Sequence, residues 1–175
     1  MEQPYILTER LILRSFTASD ARDVQRLAGN INVAKMTLNV PHPYENGMAE
    51  EWIESHKEKA ESGTQLNYAI ESLQLGVLLG AISLIEIEPK QANMGYWVGE
   101  QYWDKGYCTE AGAALIDHAF SVLSLKRVYA LHLFTNPASG RVMQKMCMKH
   151  YNTEQRTDRF GKPASMEFYE IVKCT

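Results

Sequence analysis

A short loop that contains one glycine, residues 103–108, joins a predicted strand to a predicted helix beginning at Thr109. Free backbone N–H groups at a helix N-terminus, together with the positive end of the helix dipole, favour a bound anion. Gly106 allows close approach of the backbone to a ligand or a positive φ angle, and Lys105 adds a cation. These features suit a pyrophosphate, although an ordinary turn capped by Thr109 has the same composition.

The three cysteines, Cys108, Cys147 and Cys174, are odd in number and none of them has the spacing of a metal-binding pair. A disulfide framework or a zinc site normally shows paired cysteines at short, regular spacing. We therefore expect three reduced thiols and no metal centre.

Length and charge limit the classes of function. The 175 residues fit a single domain spanning 1–175, and the net charge of −3 gives no basic surplus for nucleic acid. The first ten residues lack the apolar core of a signal peptide, and the apolar runs are too short to span a membrane. We expect a cytoplasmic protein without nucleic-acid or membrane partners.

Apolar periodicity and breaker residues divide the chain into alternating elements. The predicted strands are residues 8–16, 66–71, 78–88, 93–100 and 127–135, with a final hairpin of 151–160 and 165–173 around 161–163. The predicted helices are residues 20–28, 46–61, 109–123 and 137–149, the first capped within residues 17–20. The pattern predicts an α+β (α/β) chain with a mixed, mostly antiparallel sheet of six to seven strands and about four helices. Only the fourth and fifth strands, which a helix connects, are expected to be parallel.

Residues 95–111, GYWVGEQYWDKGYCTEA, resemble the acetyl-CoA pyrophosphate loop of the GNAT superfamily of N-acetyltransferases, and most of all its RimJ/RimL-like ribosomal-protein alanine N-acetyltransferase branch. The strand at residues 8–16, the Glu88-Pro89 pair and residues 136–139 (NPAS) resemble further segments of that branch in the same order. The resemblance implies a GNAT fold whose parallel strands splay apart. It also implies acetyl-CoA as co-substrate and no metal.

The resemblance assigns roles to particular residues. Val98 on the fourth strand would pair through its backbone with the pantetheine arm, Asn136 would also bind that arm, and Ser139 would lie near the thioester sulfur. The backbone N–H groups that would hold the pyrophosphate belong to Lys105, Gly106, Tyr107, Cys108 and Thr109. Arg141 or Lys145 would meet the adenosine phosphates.

Several positions depart from the family pattern. Trp103, Asp104 and Cys108 replace residues that are usual in the loop, and Asp104 brings a negative charge near the phosphates. Met143 occupies the position of a tyrosine that serves as general acid in many members, and its thioether carries no proton to donate. Cys147 stands where a glycine usually follows the helix, so an altered helix end is expected.

Acetyl transfer requires a neutral amine, a hydrogen-bond donor to the thioester carbonyl and a proton for the departing thiolate. A backbone N–H near Val98 is the candidate carbonyl donor, and Ser139 is the candidate proton donor unless it only caps its helix. A base is harder to select, because spacing does not distinguish Glu86, Glu88, Glu100 and Glu167; we take Glu100 as the candidate.

The acceptor stays open between a protein N-terminal α-amine and a small amine such as a polyamine or an antibiotic. An α-amine, with a pKa of about 8, is partly neutral near pH 7, whereas a lysine amine is almost wholly charged. Trp52 and Met48 form a helical stripe that is either core or acceptor wall, beside a stiff loop at residues 40–44. The alternative class is an acyl-CoA-binding sensor without turnover, and a different acyl donor is a third possibility. Monomer and homodimer are equally compatible with the sequence.

Overall fold

The structure, a computed structural model, describes residues 3–158 and 161–173. Within these ranges eight strands form one sheet, and five α-helices flank it. The strands are β1 Ile6–Leu7, β2 Leu11–Arg14, β3 Leu66–Ser72, β4 Leu78–Ile85, β5 Gln91–Val98, β6 Arg127–Leu133, β7 Lys149–Thr157 and β8 Pro163–Val172. The helices are α1 Ala21–Ala28, α2 Ile31–Lys35, α3 Met48–Glu61, α4 Tyr107–Ser121 and α5 Pro137–Lys145.

The sheet has the order β1-β2-β3-β4-β5-β6-β8-β7, and its described neighbours are antiparallel except for β5 and β6. That parallel pair is short, with Gln91–Asn93 against Arg127–Tyr129. Beyond it β5 continues to Val98 and β6 to Leu133 without pairing with each other, although β5 stays paired with β4 and β6 with β8. The sheet therefore opens as a wedge between these two strands, and the predicted mixed sheet with a splayed parallel pair is confirmed. Its eight strands exceed the six to seven expected, because β1 and β2 take the place of one predicted strand.

Strict alternation along the central strands gives the sheet two buried faces. Tyr68 belongs to the core cluster that contains Leu115 of α4 and Met143 of α5. Ala69, the next residue on β3, belongs to the cluster that contains Val24 of α1 and Ile53 of α3. Helices α4 and α5 thus cover one face, and α1 and α3 cover the other.

The first predicted strand is wrong in its bounds. Residues 8–16 contain a turn, closed by the N–H of Thr8 donating to the carbonyl of Leu11, which separates β1 from β2. Side chains explain the turn, because Glu110 of α4 accepts hydrogen bonds from the Thr8 hydroxyl and from the Arg10 backbone and guanidinium. A tertiary contact about one hundred residues away in sequence is invisible to local periodicity.

Helix α2 was not predicted, so the helix count exceeds four by one. Its N-cap, Asn30, accepts from the backbone N–H of Asn32, and it is too short to show a helical period. Helix α4 begins at Tyr107, two residues before the predicted Thr109, because Gly106 provides a left-handed N-cap with φ 77°.

Helix α5 ends earlier than predicted, and its end is altered, as expected from Cys147. The helix ends at Lys145 rather than at residue 149, and Cys147 adopts a left-handed φ of 63°, a conformation that a glycine takes without strain. Strand β7 consequently begins at Lys149, and the Phe160 and Cys174 of the predictions lie outside the described residues. No helix in the described part of the chain combines the length and the apolar character needed to cross a bilayer.

Candidate active site

The open edge of β5 supplies unpaired backbone groups to the wedge. Gly80 and Val98 face each other, and the next N–H, that of Gly99, donates to the carbonyl of Leu79. Gly80 and Val98 are therefore a non-hydrogen-bonded antiparallel pair, so the N–H and C=O of Val98 point away from β4 and toward the wedge. The indole N–H of Trp103 binds the Val98 carbonyl at 3.0 Å. Because β5 pairs with β6 only as far as Asn93, the Val98 N–H has no partner strand on the wedge side within the described residues.

Free donors also gather at the beginning of helix α4. The first backbone bond into the helix is that of the Glu110 N–H to the carbonyl of Gly106. The preceding N–H groups, those of Tyr107, Cys108 and Thr109, have no protein acceptor within the described chain. Three free donors at the positive end of a 15-residue helix are an arrangement that favours a bound anion.

A clamp formed by Thr8, Arg10 and Glu110 holds this loop in place. The guanidinium of Arg10 donates to the carbonyl of Lys105 at 2.9 Å, pairs with Glu110 at 2.6 Å and lies over the ring of Tyr107 at 4.8 Å. Partial burial tends to raise the pKa of Glu110. Hydrogen bonds from Thr8 and Arg10 outweigh it, so this pKa lies below its ordinary value and Glu110 stays ionised.

Ser139 faces a buried phenol across the wedge. Its Oγ lies 2.9 Å from the hydroxyl of Tyr96 on β5, which also donates to the Ser139 carbonyl at 3.2 Å. Burial raises the pKa of Tyr96, an effect that the bond to Ser139 only partly offsets, so the phenol keeps its proton. The pair places two connected hydroxyl groups in the cavity wall.

Asn136 both caps helix α5 and ties it to the opposite wall. Its Oδ1 accepts from the backbone N–H of Ser139 at 3.2 Å, so Asn136 rather than Ser139 is the N-cap. Its Nδ2 donates to the carbonyl of Met36, just after α2, at 3.0 Å.

One cavity of about 900 Å³ is lined by Tyr96, Val98, residues 106–109, Asn136 and Ser139, whereas the clamp of Thr8, Arg10 and Glu110 lies outside its lining. Its first end is the wedge, lined by Val98, the loop at 106–109 and the start of α5. Its second end lies on the α1–α3 face, where Tyr44, Met48 and Trp52 form an aromatic and apolar wall. Tyr44 and Trp52 also pack against the core cluster of α1 and α3, so core and cavity wall are not exclusive roles for them. The volume lies within the range of small-molecule binding clefts.

Comparison with known proteins agrees with this geometry. Residues 10–149 match the family described as the acetyltransferase (GNAT) domain, which covers most of the chain. The chain belongs to the GNAT acetyltransferase family. It is an enzyme of the N-acetyltransferase kind, as its relatives' names also indicate.

Relatives of this acetyltransferase carry mostly general names. It is 27% identical over 173 residues to the uncharacterized N-acetyltransferase YoaA of Bacillus subtilis, with 97% of each chain covered. RimL, a ribosomal L7/L12 α-N-protein acetyltransferase solved with coenzyme A, shares the fold at TM-score 0.84 and 18% identity, covering 97% of this chain and 98% of that one. Spermidine N-acetyltransferase from Vibrio cholerae, solved with CoA and spermine, does so at TM-score 0.80 and 20% identity, covering 94% and 96%.

The structure brings most of the predicted residues of the acetyltransferase to the cavity. Val98, Gly106, Tyr107, Cys108, Thr109, Asn136, Ser139 and Arg141 all line it. The side chain of Lys105 is exposed and lies 5.7 Å from the ring of Tyr102, and Lys105 is not among the lining residues. Burial raises the pKa of the Cys108 thiol to about 12, which makes it a protonated wall residue rather than a nucleophile.

Glu100, the predicted base of the acetyltransferase, lies outside the cavity lining on the turn before the loop. Its two carboxylate oxygens accept from the side-chain amides of Asn30 at 2.7 Å and Asn32 at 2.8 Å. Glu100 thus connects the segment around helix α2 to the turn that leads into the loop at 103–108.

Three groups at the site escaped the sequence analysis: Tyr96, Arg10 and Asn67. Tyr96 lies within residues 95–111, two residues before Val98 on the same predicted strand. That spacing, which places both side chains on one face of the strand, was the available signal. Arg10 acts through partners distant in sequence, and Asn67 lines the cavity because β3 places it opposite Ser83 of β4, so no motif marked either residue.

Proposed function

We propose that the protein transfers the acetyl group of acetyl-CoA to a primary amine, by direct attack in a ternary complex. The observation that carries this proposal is the meeting of two donor sets in one cavity: the free Val98 N–H at the wedge and the free N–H groups at the start of α4. The first set suits a thioester arm and the second a pyrophosphate. As in the sequence analysis, we assign the whole chain to one cytoplasmic domain of the RimJ/RimL-like branch, acting as a monomer or a homodimer.

The donor site fits CoA by its chemistry. Tyr107, Cys108 and Thr109 would hold the pyrophosphate through backbone N–H groups, with Lys105 and Gly106 completing the loop. Asn136 would contact the pantetheine through Oδ1, which has one lone pair left after capping α5. Arg141 and Lys145 are exposed on the cavity side of α5, where they would meet the adenosine phosphates.

Acetyl-CoA supplies an activated acyl group, and the protein supplies orientation and protons. The Val98 N–H would donate to the thioester carbonyl as negative charge develops on its oxygen. The amine nitrogen forms a bond to the acetyl carbon, and the bond from that carbon to sulfur breaks. Ser139 Oγ would give its proton to the departing sulfur and recover the proton that the amine releases through water, while the Tyr96 hydroxyl, 2.9 Å away, hydrogen-bonds the Ser139 oxygen and keeps its own proton.

The amine must lose one proton in the same sequence. An α-amine is partly neutral near pH 7, so ordered water suffices as the acceptor of that proton. The base role predicted for Glu100 stays a prediction that its placement does not favour, since its oxygens already hold Asn30 and Asn32. We therefore favour an α-amine over a lysine side chain as the acceptor.

Release of free CoA thiol from acetyl-CoA tests the activity directly. The amine panel comprises Ala- and Ser-starting peptides, polyamines, aminoglycosides and free amino acids, with a blank for the protein's own thiols. Turnover is expected with at least one class. Tight acetyl-CoA binding with no turnover on any amine would identify a binding module instead.

A glycine replacement locates the donor site. Gly106→Val places a branched side chain at a φ of 77°, against the Arg10 guanidinium, and we expect at least a tenfold loss of acetyl-CoA affinity, measured calorimetrically. Gly47→Val is the matched control, because Gly47 is also a left-handed helix N-cap, with φ 93°, but it precedes Met48 at the other end of the cavity and is not itself a lining residue. An unchanged acetyl-CoA affinity in a folded Gly106→Val protein would mean that the pyrophosphate does not bind at this loop.

A further inference from the structure

Three residues that lie side by side on β3, β4 and β5 form a slot in the cavity wall. Asn67 pairs with Ser83, and Ser83 pairs with Gly95. Directly paired residues point to the same face of a sheet, and all three line the cavity. Since neighbouring strands are about 4.8 Å apart, the slot from Gly95 to Asn67 is roughly 10 Å long.

Gly95 leaves the slot open toward the wedge. A Cβ built at this position would meet no atom within 4 Å. Gly95 also lies two residues beyond Asn93, the last residue of β5 that pairs with β6. The slot is therefore continuous with the space in which the Val98 N–H is free.

Asn67 closes the other end with an unsatisfied donor. The residue is 2% exposed, and its Oδ1 accepts from Gln65 Nε2 at 2.7 Å and from Ser83 Oγ at 2.8 Å. Its Nδ2 is buried without a hydrogen-bond partner among the residues that the structure describes. A buried donor left unpaired is unfavourable, and an oxygen atom of a ligand in the slot would relieve that cost.

The charges around the slot distinguish between classes of amine. Among the described residues that line the cavity, the carboxylates are Glu51 on α3 and Asp104 in the cofactor loop, and neither belongs to the slot. An ammonium group carries donors only, so the far end of a charged polyamine finds no partner in Asn67 Nδ2. A carbonyl oxygen is the complementary group.

We propose that this slot binds an extended peptide, with its N-terminal α-amine above Gly95 and a backbone carbonyl accepting from Asn67 Nδ2. The inference rests on the proposed amine acetyltransferase function, for which it names the class of acceptor. An extended chain advances about 3.3–3.6 Å per residue, so the carbonyl belongs to the third residue. Asn67 is thus a specificity-determining residue for peptide acceptors.

Acceptor kinetics test this with two amines that share the same α-amine. Trialanine amide reaches Asn67, whereas alaninamide is too short. Asn67→Leu is expected to lower kcat/KM about tenfold for trialanine amide, the effect of one lost hydrogen bond, and to change it less than twofold for alaninamide and spermidine. Equal losses for the long and short amines, or no loss for trialanine amide, would overturn the proposal. Asn39→Leu is the control, since Asn39 is an exposed amide that lines the same cavity.

Binding measurements distinguish a failure of this inference from a failure of the proposed function. Calorimetric titration of CoA-saturated protein should show trialanine amide binding more tightly than alaninamide, and both Asn67→Leu and Gly95→Leu should remove the difference. That pattern without turnover on any amine would refute the acetyltransferase activity and leave the slot intact. Equal binding of the two amines to the wild-type protein refutes the slot even in an active enzyme. If Asn67→Leu does not fold, Gly95→Leu decides alone, since a side chain there has open space.

Discussion

Ser139 shows how the surroundings of one residue decide its chemical role. The sequence left two roles open for its hydroxyl, capping a helix or giving a proton to sulfur. Asn136 takes the cap, and the Ser139 Oγ instead contacts the Tyr96 hydroxyl at 2.9 Å. Met143, at the position of the tyrosine used by other members, is 1% exposed and belongs to the core, so the phenol at this site comes from β5 instead.

Replacing Ser139 tests its proposed catalytic role. Ser139→Ala is expected to lower kcat about 10²-fold, because a positioned proton donor contributes at least that much, with a smaller change in KM. Tyr96→Phe should lower kcat less, since Ser139 keeps its own proton. Steady-state kinetics at saturating acetyl-CoA provides the measurement. A raised KM with unchanged kcat would instead assign Ser139 to binding.

At the scale of elements, the sequence was most informative where apolar periodicity and functional residues indicate the same structure. The order of strands and helices from β3 to α5 could be predicted because apolar alternation and the loop glycine are local signals. Helix α2 and the turn between β1 and β2 could not, because Asn30 and Arg10 are held by Glu100 and Glu110, which lie on distant segments. For the same reason nothing in the sequence indicates that Glu100 accepts from Asn30 and Asn32, so it was a candidate free carboxylate.

Arg10 is expected to matter for the donor site although it comes from the β1–β2 turn. Arg10→Met removes the bond to the Lys105 carbonyl and the ion pair to Glu110, so the free N–H groups of α4 lose their fixed direction. We expect about a tenfold weaker acetyl-CoA Kd, with about 1 kcal/mol or less of unfolding free energy lost, since the pair is partly exposed.

The control for Arg10 is Arg26→Met, which breaks a surface pair with Asp23 whose side chains are 52% and 46% exposed. Calorimetric titration with acetyl-CoA and urea unfolding should separate the two variants. An unchanged Kd for Arg10→Met would mean that the loop holds its shape without the clamp.

At the scale of the whole molecule, a buried histidine links stability to pH. His56 on α3 is 8% exposed and packs edge-on against Phe16 and Trp52. Neither of its ring nitrogens has a hydrogen-bond partner in the described part of the chain. Burial, with a smaller contribution from Lys59, lowers the pKa of His56 from 6.5 to about 4. Between these values the unfolded chain binds more protons than the folded one, so stability falls as the pH falls.

Urea unfolding at pH 7 and pH 4.5 tests this effect. The wild-type protein should lose up to about 3 kcal/mol through His56 over this interval, at about 1.4 kcal/mol per pKa unit. His56→Phe preserves the aromatic packing and should show a correspondingly flatter dependence. His42→Gln, at an exposed position, should follow the wild type. A parallel loss in His56→Phe would assign the acid sensitivity to other groups.

The hydrogen bond from Asn136 to the Met36 carbonyl has a thermodynamic consequence for the two ends of the cavity. One amide caps the helix that carries Ser139 and also holds the segment following α2, which borders the acceptor end. A ligand that fixes this amide fixes both walls, so the two binding free energies are coupled through it. Coupling of this kind is reciprocal: the factor by which bound acetyl-CoA changes acceptor affinity equals the factor by which bound acceptor changes acetyl-CoA affinity.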